Sequence, residues 1–280
     1  MPELFLHPAA PLDLRQISIH WSTVIGLAAL GALYWWRARN VAARPSTIQR
    51  VSFAAGLFVI FASLNGPLHD LSDYYLFSAH MVQHLVLTLV AAPLLIYGVT
   101  GEMLRPMIRT RSVSSAASFF TRPMVCFALF NVVIAFWHLP FAYNAALANH
   151  GIHIVQHLTL LAAAVLMWWP LLSPLPELPR LSYPGQMLYC FLMVIPMSVI
   201  AIYIALADRL MYPGYAAAPR LWGITPLEDQ HIGGLVMWIP GGLFFYVVMS
   251  IVFFRWAKRG EDTREAAQVG WEPPVAAGNP

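Results

Sequence analysis

Four histidines, set in two copies of one spacing, are the residues of this 280-residue chain best suited to hold a metal ion. "SAHMVQHLVL" carries His80 and His84, and "GIHIVQHLTL" carries His153 and His157. Residues four apart lie on one face of a helix with Cβ atoms about 5–6 Å apart, so each pair can chelate an ion. Two such helices facing each other offer up to four imidazole nitrogens. That donor set suits copper, zinc, nickel or iron, and does not suit magnesium or calcium, which want oxygen. The competing reading of a single copy is a pair of hydrogen-bonded interface histidines. Duplication weighs against it, because a structural polar contact seldom needs the same pair at the same depth twice.

Further donors follow along the chain. "EDQHIGGLVMW" offers Asp229, His231 and Met237, which could complete a copper sphere, against the plainer reading of Met237 as core packing. "AFWHLP" places His138 at a helix C-terminus, where capping competes with metal binding. "LNGPLHDLSDYY" offers His69 and Asp70 in what reads as a solvated outer loop, able to receive metal ahead of a buried site. Gln83 and Gln156 precede the second histidine of each pair and suit an interhelical hydrogen bond or a role in fixing an imidazole tautomer. Cys126 and Cys190 form no Cys-x-x-Cys motif and read as small buried residues.

The elements that must position these residues are membrane helices. The chain is 59% hydrophobic and only 10% charged, far below the roughly 25% charge of a soluble domain. Apolar runs near 18–37, 51–67, 76–98, 123–140, 151–172, 185–207 and 231–255 predict an all-α polytopic membrane protein with seven transmembrane helices. Residues 1–17 read as an outer tail with no signal peptide, 18–257 as the transmembrane domain, and 258–280 as a disordered, polar cytoplasmic tail. Of the sixteen Lys and Arg, only Arg15, Arg209 and Arg220 fall on the outer side if the N-terminus is outside and the C-terminus cytoplasmic, which sets the orientation. That topology puts all ten histidines in the outer half or beyond it. The repeated pairs then mark a parallel internal repeat of helices 2–3 and 4–5. Tryptophans near helix ends read as interfacial belts, Pro93, Pro196 and Pro240 as kinks, and no basic, aromatic-interleaved patch argues for nucleic acid.

The segments "FSAHMVQHLVLTLVAAPLLIYG", "WHLPFAYNAAL", "HIVQHLTLLAAAVLMWWPLL" and "DQHIGGLVMWIPGG" resemble, in this order across helices 3 to 7, the multi-spanning CtaG-like family of bacterial cytochrome c oxidase assembly factors. The resemblance implies a protein of the bacterial cytoplasmic membrane needed for active heme-copper oxidase, acting through copper delivery. It implies cytochrome c oxidase subunits and other copper chaperones as partners, alongside membrane lipid, and is compatible with a homo-oligomer. His80, His84, His153 and His157 match the family's paired histidines, and Asp229 and Met237 its last-helix motif. Gln156 departs from the acidic residue that the resemblance leads one to expect there, which would alter the charge at the site. Transfer of copper by ligand exchange needs no covalent chemistry and so no enzyme. Two other classes stay open on the residues alone: a membrane oxidoreductase with a histidine-box iron or copper centre, and a heme-handling protein in which the second histidine of each pair is surplus.

Overall fold

The protein is described here by a computed structural model covering residues 18–269, with side chains to Glu261. The expected tail at 1–17, the signal-peptide reading and residues 270–280 lie outside the described residues. Within them the chain is helical and holds no strand: α1 (Trp21–Arg39), α2 (Thr47–Leu64), α3 (Pro67–Tyr74), α4 (Phe77–Leu85), α5 (Ala92–Gly98), α6 (Gly101–Leu104), α7 (Arg111–Phe120), α8 (Pro123–His138), α9 (Pro140–Ala148), α10 (His150–Leu172), α11 (Tyr183–Ala205) and α12 (Pro226–Val269). The last of these carries helix twelve residues past the boundary at 257, where the sequence predicts a disordered tail.

Five stretches are long and apolar enough to cross a membrane: α2, the run Phe77–Gly98, α10, α11 and Pro226–Glu261 of α12. A sixth arises if α7 and α8, bent by 69° at their junction, act as one span. Seven spans are therefore not reproduced. The missing one is α1, which has 19 residues but ends in Trp35, Trp36, Arg37 and Arg39, so its apolar stretch is diluted. α8 alone has 16 residues, short of the roughly 20 a bilayer needs, which is why it counts only together with α7.

The run from Phe77 to Gly98 is interrupted by a π-helical turn at Val86–Ala91, directly after His84. Pro93 explains it: proline has no N–H and its ring collides with the carbonyl four residues back, so the turn before it widens. The loosened backbone finds other partners. Thr88 Oγ1 donates to the His84 carbonyl at 2.7 Å, and the Trp168 indole N–H of α10 donates to the Thr88 carbonyl at 2.8 Å. The break thus ties the helix bearing one histidine pair to the helix bearing the other.

Around this pair, α12 packs on α11 and α4, α10 on α8 and α5, and α2 on α5. A large apolar core of Phe77, Met81, Phe130, Trp168, Met193 and Phe245, among others, joins α4, α8, α10, α11 and α12. A smaller one, including Tyr34, Phe53 and Leu95, holds α1 and α2 to the inner end of the Phe77–Gly98 run. Two glycines set how closely α12 approaches. A Cβ at Gly233 would lie 2.3 Å from Phe77 Cδ1, and one at Gly234 would lie 2.6 Å from the Ala205 backbone nitrogen. Gly26 of α1, in contrast, has open space around its Cβ position. Gly234→Ala should therefore cost about 1–3 kcal/mol through overpacking, seen as earlier thermal unfolding in detergent, while Gly26→Ala should leave the midpoint unchanged or slightly raised.

Candidate metal centre

The two histidine pairs meet. On α4, the rings of His80 and His84 lie 4.2 Å apart by centroid. On α10, His153 and His157 are 4.5 Å apart, with their Nε2 atoms at 2.7 Å. Across the helices, His80 is 5.7 Å from His153 and 5.8 Å from His157, and His84 is 5.5 Å from His157. All four are buried. The i, i+4 spacing supplies each pair, and the packing of α10 beside the π-helical turn brings the pairs face to face.

Protonation states follow from the partners. Asp73 Oδ2 lies 3.4 Å from His153 Nδ1 and 3.3 Å from His69 Nε2. A carboxylate only accepts, so a hydrogen on either nitrogen would face it. With His153 Nδ1 carrying that hydrogen, its Nε2 accepts from His157 Nε2 and His157 Nδ1 holds a lone pair; His157 Nδ1 has no hydrogen-bond partner among the described residues. The Nδ1 and Nε2 atoms of both His80 and His84 also lack any partner among the described residues. A buried polar atom without a partner costs about 1–3 kcal/mol. Each ring can turn only one nitrogen toward a shared ion, so His80, His84 and His157 together offer three donors that no protein group satisfies. His80, His84 and His157 bring one ligand atom each to within 4.8 Å of one another, and Asp73, His80 and His153 do the same. His80 belongs to both groups, so the two positions are adjacent.

Asp73 is the acid that sequence reasoning missed as a ligand; its spacing from His69 on α3 was visible, its distance from His153 was not. His69 is not in a solvated loop. α3 folds under the cluster after a turn at Gly66, which has a φ of 71°, and His69 is buried. Gln83 Nε2 donates to Ser63 O at 2.6 Å and to His69 Nδ1 at 3.1 Å, fixing the tautomer that points Nε2–H at Asp73. Burial pushes His69 down to about 4, against the opposing pull of Asp73, so it is neutral at physiological pH. Gln156, the matching residue on α10, is fully buried with no partner for either amide atom. The two glutamines, alike in sequence, therefore differ in role.

A file of rings leads from the cluster to the surface. His69 lies 5.9 Å from His153 and 4.4 Å from His20, and His20 lies 5.9 Å from the exposed His150. A cavity of about 350 Å³ runs beside this file, lined by His20, His69, His150, His153 and His157 with apolar residues of α1 and α2. A larger cavity of about 1110 Å³ lies elsewhere, lined by Arg180 and Arg255 among others and by no histidine. The smaller one borders the histidine cluster.

Other sequence candidates fall differently. His138 abuts the cluster, 5.7 Å from His84, and its Nδ1 lies 2.6 Å from the Ile134 carbonyl of its own helix, as helix capping predicts. Asp70 is drawn away by Ser18, whose hydroxyl donates to Oδ1 at 2.5 Å. His231 bonds the Ala207 carbonyl at 2.9 Å, joining α12 to the end of α11. Met237 is buried in the apolar core. Asp229 caps α4: it accepts from Phe77 N at 2.6 Å, Ser78 N at 3.2 Å and the Ser78 hydroxyl at 2.5 Å. Both of its oxygens are occupied by the helix terminus that presents His80.

Fold and centre together define a helical membrane protein built around a buried, partly unpartnered histidine cluster. The profile of the cytochrome c oxidase caa3 assembly factors matches residues 30–259, and the chain belongs to that family, as its motifs led one to expect. Similar proteins include uncharacterized proteins of Mycobacterium bovis and Mycobacterium tuberculosis, each 24% identical over 211 residues, covering 69% of this chain and 31% of the relative. The chain thus spans about a third of the length of those relatives. No solved structure matches it.

The capping geometry separates Asp229 from the candidate ligands. Asp229→Ala strands two amides at the start of α4, one of them buried, and should lower stability by about 1–3 kcal/mol, while leaving any metal bound per folded molecule unchanged in elemental analysis.

Proposed function

We propose that this protein is an assembly factor that takes up copper at its histidine cluster and passes it to a subunit of heme-copper cytochrome c oxidase. The observation that carries the reading is the set of buried ring nitrogens on His80, His84 and His157 that no protein group satisfies. Buried imidazole nitrogens without a protein partner suit a borderline or soft d-block ion, copper first, with zinc or iron as alternatives. Family membership supplies the context, oxidase maturation. Family membership supports a bacterial membrane setting, and the Lys and Arg of the loops, counted on the seven-span expectation, favour a cluster toward the outside.

In this reading the ion arrives past His150 and His20, whose rings begin the file, and is handed inward by ligand exchange. Asp73 contributes the negative charge that offsets a cation in a low-dielectric bundle. Because His80 is common to both ligand groups, the ion can shift between them without leaving protein donors. Release to the oxidase follows the same logic, each new ligand forming as an old one breaks, with no change in oxidation state required. An oxidase subunit and other copper chaperones are the partners this implies.

Elemental analysis and an absorption spectrum of the purified protein test the proposal. Copper near stoichiometry, with no Soret band, is the expected result. His80→Gln should remove most of it because both ligand groups lose a member, and His84→Ala with His157→Ala should do the same; cells carrying either variant should make oxidase of low copper content. Full copper in the double variant, or a heme spectrum, would overturn the reading.

A further inference from the structure

The inner end of the cluster holds a contact that hydrogen bonding alone does not explain. His138 Nδ1 sits 2.6 Å from the Ile134 carbonyl, and a carbonyl only accepts, so Nδ1 carries the hydrogen. In the neutral ring Nε2 then presents a lone pair. Its neighbour, at 3.3 Å, is the thioether sulfur of Met81, which also has no proton to give. Both side chains are sealed from solvent: Met81 is 0% exposed and His138 is 4% exposed. Placing a second proton on the ring would create an isolated cation inside a membrane bundle, an expensive state with no carboxylate bonded to it among the described residues.

A soft cation between the two donors removes the conflict. Bonds of about 2.0 Å to nitrogen and about 2.3 Å to sulfur at a tetrahedral angle set the donors roughly 3.5 Å apart, close to the separation observed. His84, whose ring lies 5.7 Å from that of His138 and whose nitrogens have no partner among the described residues, offers one further donor. The sulfur is held in place rather than loosely packed. Gly233 of α12 lets that helix close over Met81, since a Cβ there would lie 3.3 Å from Met81 Cγ. Tyr212 fixes the end of α8 from outside by donating to the His138 carbonyl at 2.8 Å.

We propose that Met81 and His138, with His84 shared from the neighbouring group, form a further, soft metal position at the inner end of the cluster, selective for Cu(I) over Zn(II). It rests on the proposed copper reading of the neighbouring histidines and adds to it a sulfur ligand and an oxidation state. Thioether ligation favours Cu(I) and contributes little to Zn(II), so the position sorts the cargo by softness after the imidazoles have admitted it. Met237, the thioether that the sequence offers in the last helix, is not needed for this.

X-ray absorption at the copper edge of the full-length protein loaded with Cu(I) in detergent tests the proposal, alongside titrations with Cu(I) and Zn(II) against competing chelators. The expected result is a sulfur scatterer near 2.3 Å that disappears in Met81→Leu, a change that keeps volume. That variant should also lose at least about tenfold in Cu(I) affinity with Zn(II) affinity unchanged. Copper surrounded only by nitrogen or oxygen, or sulfur that persists in Met81→Leu, overturns the soft position and leaves the histidine reading intact. Failure to bind Cu(I) at all overturns both.

Discussion

An imidazole taken out of water keeps an N–H that needs an acceptor and a lone pair that needs a donor or an ion, and this constraint governs the centre of the molecule. Around His80 and His84 no group among the described residues supplies either an acceptor or a donor. Several neighbouring groups are paired, Gln83 to His69, His69 and His153 to Asp73, and His157 to His153, while the amide of Gln156 is left without a partner among the described residues. Satisfied imidazoles hold the unsatisfied ones in position. The resulting strain in hydrogen bonding is worth several kcal/mol on the scale of individual buried groups, and the rest of the fold must be stable enough to carry it.

The fold carries it through the two helices that bear the pairs. Pro93 widens the turn after His84, Trp168 of α10 bonds the backbone so released, and Asp229 of α12 caps the helix at Phe77. Each end of α4 is therefore fixed by a different helix. The short outer elements have the complementary task. α3 brings Asp73 and His69 beneath α10, and the loop after α11 brings Tyr212 and Tyr215, whose hydroxyls bond the carbonyls of His138 and Ser72 at 2.8 Å and 2.6 Å. With Tyr143, which lies 2.9 Å from Tyr215 by hydroxyl oxygens and 5.1 Å from His80 by ring centroids, they gather around Phe77 beside the cluster. Access is left to the side, along the cavity between α1, α2 and α10.

Several residues were legible in type and not in role. Asp229 and Met237 sit in a motif that invites a metal reading, yet a carboxylate at the start of one helix is equally able to cap another, and nothing in the spacing tells which. His69 looked solvated because its segment is polar. The short helix α3 buries it through contacts with residues distant in sequence. The expected seven spans are not reproduced for a simpler reason: α1 is diluted by Trp35, Trp36, Arg37 and Arg39 and α8 is short, so five stretches qualify, or six with α7 and α8 joined across their 69° bend.

By itself the sequence determined that the protein is a bundle of apolar helices, that two i, i+4 histidine pairs repeat within it, and to which family its motifs belong, because composition, periodicity and short spacing are local properties. Only the tertiary structure decided that the pairs face each other, that Asp73 joins them, that Asp229 is occupied as a cap and that Met81 confronts His138. Those are contacts between helices far apart along the chain. They depend on crossing positions, on a proline-widened turn and on glycines at close approach, whose joint result no local pattern encodes.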